Sequence, residues 1–185
     1  MFAQTTYRSR FLSTDSASLN CLIVLLASLV LAGASQISLP WQPVPLTFQS
    51  VAVVLLGLTL GSKRAAAAVA LYLLEGACGL PVFAQFYSGI SVFAMPSGGY
   101  LIGFLPAAFF AGWMMEIGMA KNIFLIFMTA LFSTMIIFAC GVLQLGMMIG
   151  WNDAFAFGVK PFLIVEPLKL MVASLVAKNA FRVRI

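Results

Sequence analysis

The sequence predicts an all-α integral membrane protein, a single bundle of six transmembrane helices with both termini on the cytoplasmic side. Three observations lead there. Of the 185 residues, 63% are hydrophobic and 8% are charged, whereas a soluble domain is about half apolar and about a quarter charged. The mean hydropathy is +1.09. Eight of the ten Lys and Arg (Arg8, Arg10, Lys63, Arg64, Lys121, Lys178, Arg182 and Arg184) lie in short segments flanking apolar runs, the positive-inside pattern of cytoplasmic loops. The length allows one transmembrane domain over 1–185 and no second. The expected location is the cell inner membrane, crossed several times.

Taken in order, residues 1–15 read as a polar, basic cytoplasmic segment. The first span is 17–34. Arg8, Arg10, the apolar run and Ala32-Gly33-Ala34 also follow the order of a signal peptide. Because five more spans follow, the segment is read as a retained helix. Loop 1, at 35–45, holds Pro40, Pro43 and Pro45 within six residues and cannot be helix interior. The second span is 46–61, with Gln49 near its start. Gly61-Ser62-Lys63-Arg64 reads as a tight basic turn. The third span, 65–80, opens on a run of Ala that lets another helix come close, and it contains Glu75.

A long stretch, 76–100, follows. It is rich in Gly, Pro and aromatic residues and carries no charge (Glu75 stands just before it). Non-helical backbone near a membrane is tolerated only where protein buries it or where it lines a cavity. The stretch therefore reads as the lid and wall of a small-molecule site. The fourth span runs from about 99 to 116, with Lys121 in the next cytoplasmic turn. The fifth covers most of 122–149. Trp151-Asn152-Asp153 reads as an outer loop, the sixth span as 157–177, and 178–185 as a basic cytoplasmic tail. Gly57/Gly61, Gly99/Gly103 and Gly146/Gly150 are GxxxG pairs suited to close helix packing.

Several functions are excluded. The chain has no His, and so lacks the commonest general base and metal ligand. It has no HExxH and no GxSxG, and 57–63 has the wrong spacing for a phosphate-binding loop. It is not read as an enzyme, and no metal or cofactor is expected. The net charge of +5 is distributed as in a membrane protein, which favours anionic lipid over nucleic acid as a partner. Cys21, Cys78 and Cys140 lie in apolar segments and read as small packing residues rather than a disulfide framework.

Three features rise above packing. Glu166 and Lys169 are i, i+3 on one helix face. Lys169 is about twelve residues into its predicted span, roughly 18 Å at about 1.5 Å per residue. A lysine at that depth is expensive and marks a buried polar site, or else a self-neutralising structural pair. Glu75 lies at similar depth, either protonated, partnered by Lys169 across the bundle, or only packing. The helix start at Ser97-Gly98-Gly99-Tyr100 offers free N–H groups to an anion, or is a simple cap by Ser97.

Together these residues resemble a known family, the BioY proteins, the biotin-specific substrate-binding components of energy-coupling-factor vitamin transporters. The resemblance rests on Pro43-Val44-Pro45-x-Thr47-x-Gln49, Gly57 with Leu60-Gly61, Tyr72-Leu73-Leu74-Glu75-Gly76, Gly79-Leu80-Pro81-Val82-Phe83, and Pro96-Ser97-Gly98-Gly99-Tyr100-Leu101-Ile102-Gly103-Phe104. It covers 43–112 in strong form and returns at 161–177. It implies a six-helix bundle that takes biotin from outside, with loops 1 and 3 closing over it and Glu166 and Lys169 in the pocket. Glu166 stands where the family has Asp, Met95 where it has Gly, and Ala17-xxx-Cys21 where it has Ala-xxx-Ala. Loop 3 carries Gln85 and Tyr87 but no Arg.

The expected contacts follow from biotin's chemistry. Glu166 or Glu75 accepts the ureido N–H groups, and Lys169 donates to the ureido carbonyl. Gln49 and Tyr100 belong to the same motifs. Trp41, Phe83, Phe86 and Phe93 wall the apolar part, and the carboxylate meets Tyr87 and the N–H groups of Gly98 and Gly99. The alternative pose puts the carboxylate on Lys169. The resemblance also implies a transmembrane coupling subunit and ATPase subunits as partners, with a homo-oligomer working alone as the alternative. The rival readings are a substrate-binding component for another small vitamin or precursor, and a structural or assembly subunit.

Overall fold

In a bilayer each spanning segment must satisfy its own backbone polar groups, so long apolar runs fold as helices. The computed structural model describes residues 16–39, 43–119 and 122–182. Among these residues there are seven helices: α1 (Ala17–Gln36), α2 (Gln49–Leu60), α3 (Ser62–Ala77), α4 (Gly98–Glu116), α5 (Ile123–Ile149), α6 (Trp151–Gly158) and α7 (Phe162–Arg182). Two-residue strands β1 (Ser38–Leu39) and β2 (Leu46–Thr47) pair antiparallel. Three of the helices, α1, α4 and α5, are long and apolar enough to cross a membrane. The chain is a multi-pass membrane protein.

The outer faces of the helices are apolar. Leu22, Leu26 and Leu29 on α1, Ile102 and Phe109 on α4, Phe132 and Met135 on α5, and Ile164 and Leu168 on α7 are all exposed. In water that surface would be a liability; against lipid it costs nothing. The core lies where α2, α3, α4 and α5 meet, around Val53, Leu58, Val69, Tyr72, Phe104, Met115 and Ile137.

Small residues set the close approaches. A Cβ on Gly57 would lie 2.6 Å from that of Ala111, and one on Gly103 would lie 3.0 Å from Ile137 Cα. The Ala run works as expected, with Ala65 and Ala68 fully buried. The third GxxxG pair does something else. Gly146 makes room for the Trp151 ring, and Gly150, at φ 90°, turns the chain into α6.

Several predicted boundaries move. Residues 46–47 leave the second span to form β2, and α2 starts at Gln49. The basic turn shrinks to Gly61 at φ 84°, so Lys63 and Arg64 lie in the first turn of α3 and Arg64 Nε donates to Asn20 Oδ1 at 2.9 Å. Trp151-Asn152-Asp153 is helical, and the sixth long helix begins at Phe162 rather than 157. Glycine at 150 permits an immediate restart, and Pro161 marks the new helix start. At its far end α7 continues through Lys178 to Arg182, past the predicted limit of 177. The 1–15 segment, Pro40, Trp41, Lys121 and Arg184 lie outside the described residues.

The ends of the bundle differ. At one end, Glu116 Oε1 accepts from the Ser62 backbone N–H at 2.7 Å and from its hydroxyl at 2.9 Å. A carboxylate at a helix start satisfies free N–H groups and the dipole. At the other end the β1–β2 hairpin and the 78–97 connection fold over the helices and enclose the candidate site.

Candidate functional site

The 78–97 connection carries two short 3-10 turns, Ala84–Phe86 and Ile90–Ala94. It folds back on α3: the Gly89 N–H donates to Gly76 O at 2.7 Å, and a Cβ on Gly76 would collide with the Phe83 ring. Phe83 is thereby pressed into the bundle, edge-on to Tyr72 at 5.5 Å and to Phe93 at 5.8 Å between centroids. Such pairs add about 0.5–1.5 kcal/mol beyond area burial.

Beneath this cover is a cavity of about 180 Å³, far more than the roughly 10–15 Å³ a single water needs. The hairpin contributes Pro43, Val44, Pro45 and Thr47, and α2 contributes Gln49 and Ser50. The connection contributes Phe83, Gln85, Tyr87, Val92 and Ser97 among others. Tyr100, Leu101 and Phe104 come from α4, Ile137 and Phe138 from α5, and Phe162 and Glu166 from α7. The walls are mostly apolar and the polar groups few, which is the usual make-up of a small-molecule pocket.

The charged pair is the polar centre. Lys169 and Glu166 Oε1 form an ion pair. Lys169 Nζ also donates to Thr47 O at 2.9 Å and Ser50 Oγ at 3.4 Å. Ser50 Oγ in turn donates to Glu166 Oε1 at 3.0 Å. The ammonium lies 5.6 Å from the Phe48 ring centroid. All the lysine's donors are therefore spent on holding β2, α2 and α7 together. Glu166 is 4% exposed, and its Oε2 is buried with no hydrogen-bond partner. A buried acceptor left unmade costs about 1–3 kcal/mol, more when charged.

The pair also lies shallower than its sequence predicted. Counted from Phe162, Lys169 is roughly 10 Å along the helix at about 1.5 Å per residue, which is why it reaches the hairpin.

Six of the expected residues come together on the cavity wall: Gln49, Phe83, Gln85, Tyr87, Tyr100 and Glu166. Gln49 Nε2 donates to the Tyr72 hydroxyl at 2.6 Å, which donates to Val82 O at 3.1 Å. The Tyr100 hydroxyl donates to Gly158 O at 2.9 Å.

Others are placed differently. Lys169 stands behind Glu166 and does not line the cavity. Glu75 is not its partner: Oε1 accepts from Ser28 Oγ on α1 at 3.2 Å, on another face of α3. Phe93 backs Phe83 instead of lining, and Phe86 is 69% exposed. Trp41 lies outside the described residues.

At the expected anion seat, the Gly98 half is already occupied. The Gly98 N–H donates to Met95 O at 2.8 Å. The two glycines serve packing. A Cβ on Gly98 would strike the Phe93 carbonyl oxygen, and one on Gly99 would lie 2.5 Å from Cys140 O and 2.8 Å from Gln144 Cβ. The notch admits Gln144, whose Nε2 donates to Phe93 O at 2.8 Å and to Met95 O at 3.0 Å. Nor does the Ser97 side chain cap α4; it lines the cavity. Gly98→Ala is expected to break this clamp and destabilise the fold by about 1–3 kcal/mol, the usual overpacking range, read as a lower melting temperature in detergent.

Sequence reasoning missed Gln144 and Ser50, and also Phe138 and Phe162, which stack edge-on at 5.2 Å along the wall. Only a lone glutamine in an apolar span marked Gln144, and nothing marked its distant partner.

A profile of the BioY family matches residues 7–184. A probable biotin transporter BioY of Pyrococcus horikoshii is 39% identical over 158 residues, covering 85% of this chain and 93% of that one. A biotin transporter BioY of Thermotoga maritima is 40% identical over 152 residues, covering 81% and 88%. Among solved structures, the S-component for biotin from an ECF-type ABC transporter superposes with a TM-score of 0.82 at 20% identity, covering 91% of this chain and 94% of that chain. That likeness shows the shared fold.

Proposed function

The chain belongs to the BioY family, and from that premise we propose that it is a membrane subunit that binds biotin beneath loops 1 and 3 and passes it into the cell. The observation that carries the reading is Glu166, which lines the mostly apolar cavity and whose buried carboxylate oxygen Oε2 has no hydrogen-bond partner. It calls for a neutral ligand group with an N–H donor. Biotin's ureido ring supplies that group. A ligand carboxylate there would set two anions together, so the ring goes to Glu166 and the carboxylate toward the exposed end of the cavity, at Gln85 and Tyr87. This pose gives Lys169 a positioning role: it holds Glu166 and the Thr47 carbonyl and touches no ligand atom.

No nucleotide-binding loop is present in the sequence, so a transmembrane coupling subunit and ATPase subunits are the proposed partners for transport. The basic residues Lys63 and Arg64 lie at the end opposite the cavity, which supports a cytoplasmic position for that end and an outward-facing cavity mouth.

The test is a ligand panel on purified protein. Only a ligand that binds the folded state stabilises it, by about 2.7 kcal/mol at a hundred times its Kd. Biotin is expected to raise the melting temperature, and other vitamins are not. A larger shift with a different vitamin would reassign the substrate.

A further inference from the structure

Besides its hydrogen bonds to α3 at Gly89 and Val82, the 78–97 connection is fastened by glutamine side chains at two places, and the two fastenings are unlike. Its second half is gripped by the Gln144 amide through two carbonyls, Phe93 O and Met95 O. Its apex is held from the end of α1. Gln36 Nε2 donates to Phe83 O at 3.0 Å, and Gln36 Oε1 accepts the Phe86 N–H at 3.2 Å. Ser35 Oγ, next to it, donates to Val82 O at 2.7 Å. Gln85, at φ 59°, lies between the Val82 and Phe83 carbonyls and the Phe86 amide, and Phe86 itself is at φ 60°. Two consecutive side-chain-bearing residues in the left-handed region are rare and persist only when their surroundings enforce them.

We infer that Gln36 is a positioning residue, a latch that holds the strained Gln85–Phe86 apex closed over the ligand and so sets how fast ligand leaves. The strain acts against the latch. When the Gln36 amide lets go, both apex residues relax toward ordinary φ, and Gln85 and Tyr87 move off the cavity mouth. The Gln144-clamped half keeps its place, so the opening is local. This inference rests on the proposed biotin site for its kinetic consequence only, because the latch itself is visible without ligand.

The experiment uses the full chain in detergent, with biotin dissociation and amide hydrogen exchange measured side by side. Gln36→Leu keeps bulk and removes both hydrogen bonds to the connection, together with the one from Gln36 Nε2 to Ser35 Oγ at 2.9 Å. It is expected to speed biotin release about tenfold, the effect of losing roughly 1.4 kcal/mol of net hydrogen bonding. In ligand-free protein it is expected to speed exchange over 82–87 while 92–98 stays at the wild-type rate. Phe86→Gly removes strain at a side chain that does not line the cavity, and is expected to slow release and exchange at the apex. Wild-type release and exchange in Gln36→Leu would overturn the latch, as would equal loosening of 82–87 and 92–98. If Gln36→Leu does not fold, Phe86→Gly decides: unchanged release overturns the inference. If wild-type protein binds no biotin, the functional reading fails and the exchange comparison still judges the latch.

Discussion

Glu166→Gln is expected to weaken biotin binding roughly a hundredfold while leaving the protein folded. The amide keeps the size of the side chain and can still present an oxygen to Lys169 and Ser50, so the local packing survives. What goes is the carboxylate charge behind Oε2, a buried side-chain oxygen without a hydrogen-bond partner. Hydrogen bonds to charged groups are worth about 1.5–3 kcal/mol, and a hundredfold in Kd lies inside that range. Equilibrium binding of labelled biotin, with a melting curve as the folding control, measures it. Wild-type affinity in a folded Glu166→Gln protein would remove Glu166 from the site.

Lys169→Leu has the largest expected effect on stability. Breaking a buried pair from one side strands the other charge and costs about 3–5 kcal/mol. Here it strands Glu166 and also frees the Thr47 carbonyl and the Ser50 hydroxyl. The double variant Glu166→Leu, Lys169→Leu is expected to recover most of that stability, since replacing a whole buried pair with apolar residues is often neutral. Binding is expected to stay lost in the double variant. Melting curves and biotin uptake on the three variants separate the two roles. Uptake that survives in the double variant would make the pair a strut and favour a structural or assembly subunit.

Much of the fold was legible because lipid imposes a simple rule on the chain. Apolar runs of sufficient length become helices, and prolines and glycines end them, so α1, α4 and α5 fall within two or three residues of their predicted bounds. The misjudged elements are those where local backbone chemistry competes with hydropathy. Leu46 and Thr47 are apolar enough to extend a span, yet Pro45 and the pairing with Ser38 and Leu39 make them a strand. Trp151–Gly158 is helical because Gly150 turns the chain at positive φ and its Trp finds the hollow over Gly146.

By itself the sequence determined the membrane fold, the family, the acidic and basic pair on the last helix and the unusual character of the 76–100 stretch. Each of these is a local property, readable from composition, from i, i+3 spacing or from contiguous motifs. The tertiary structure alone decided who does what. It set Lys169 against Glu166, the Thr47 carbonyl and Ser50, and left Glu166 Oε2 without a hydrogen-bond partner. It packed Gln144 against the Gly98-Gly99 notch, and put Glu75 beside Ser28 on another helix face. The physical reason is that a hydrogen bond belongs to whichever partner arrives in reach. Residues 36 and 86, 47 and 169, or 93 and 144 meet only after the helices have packed.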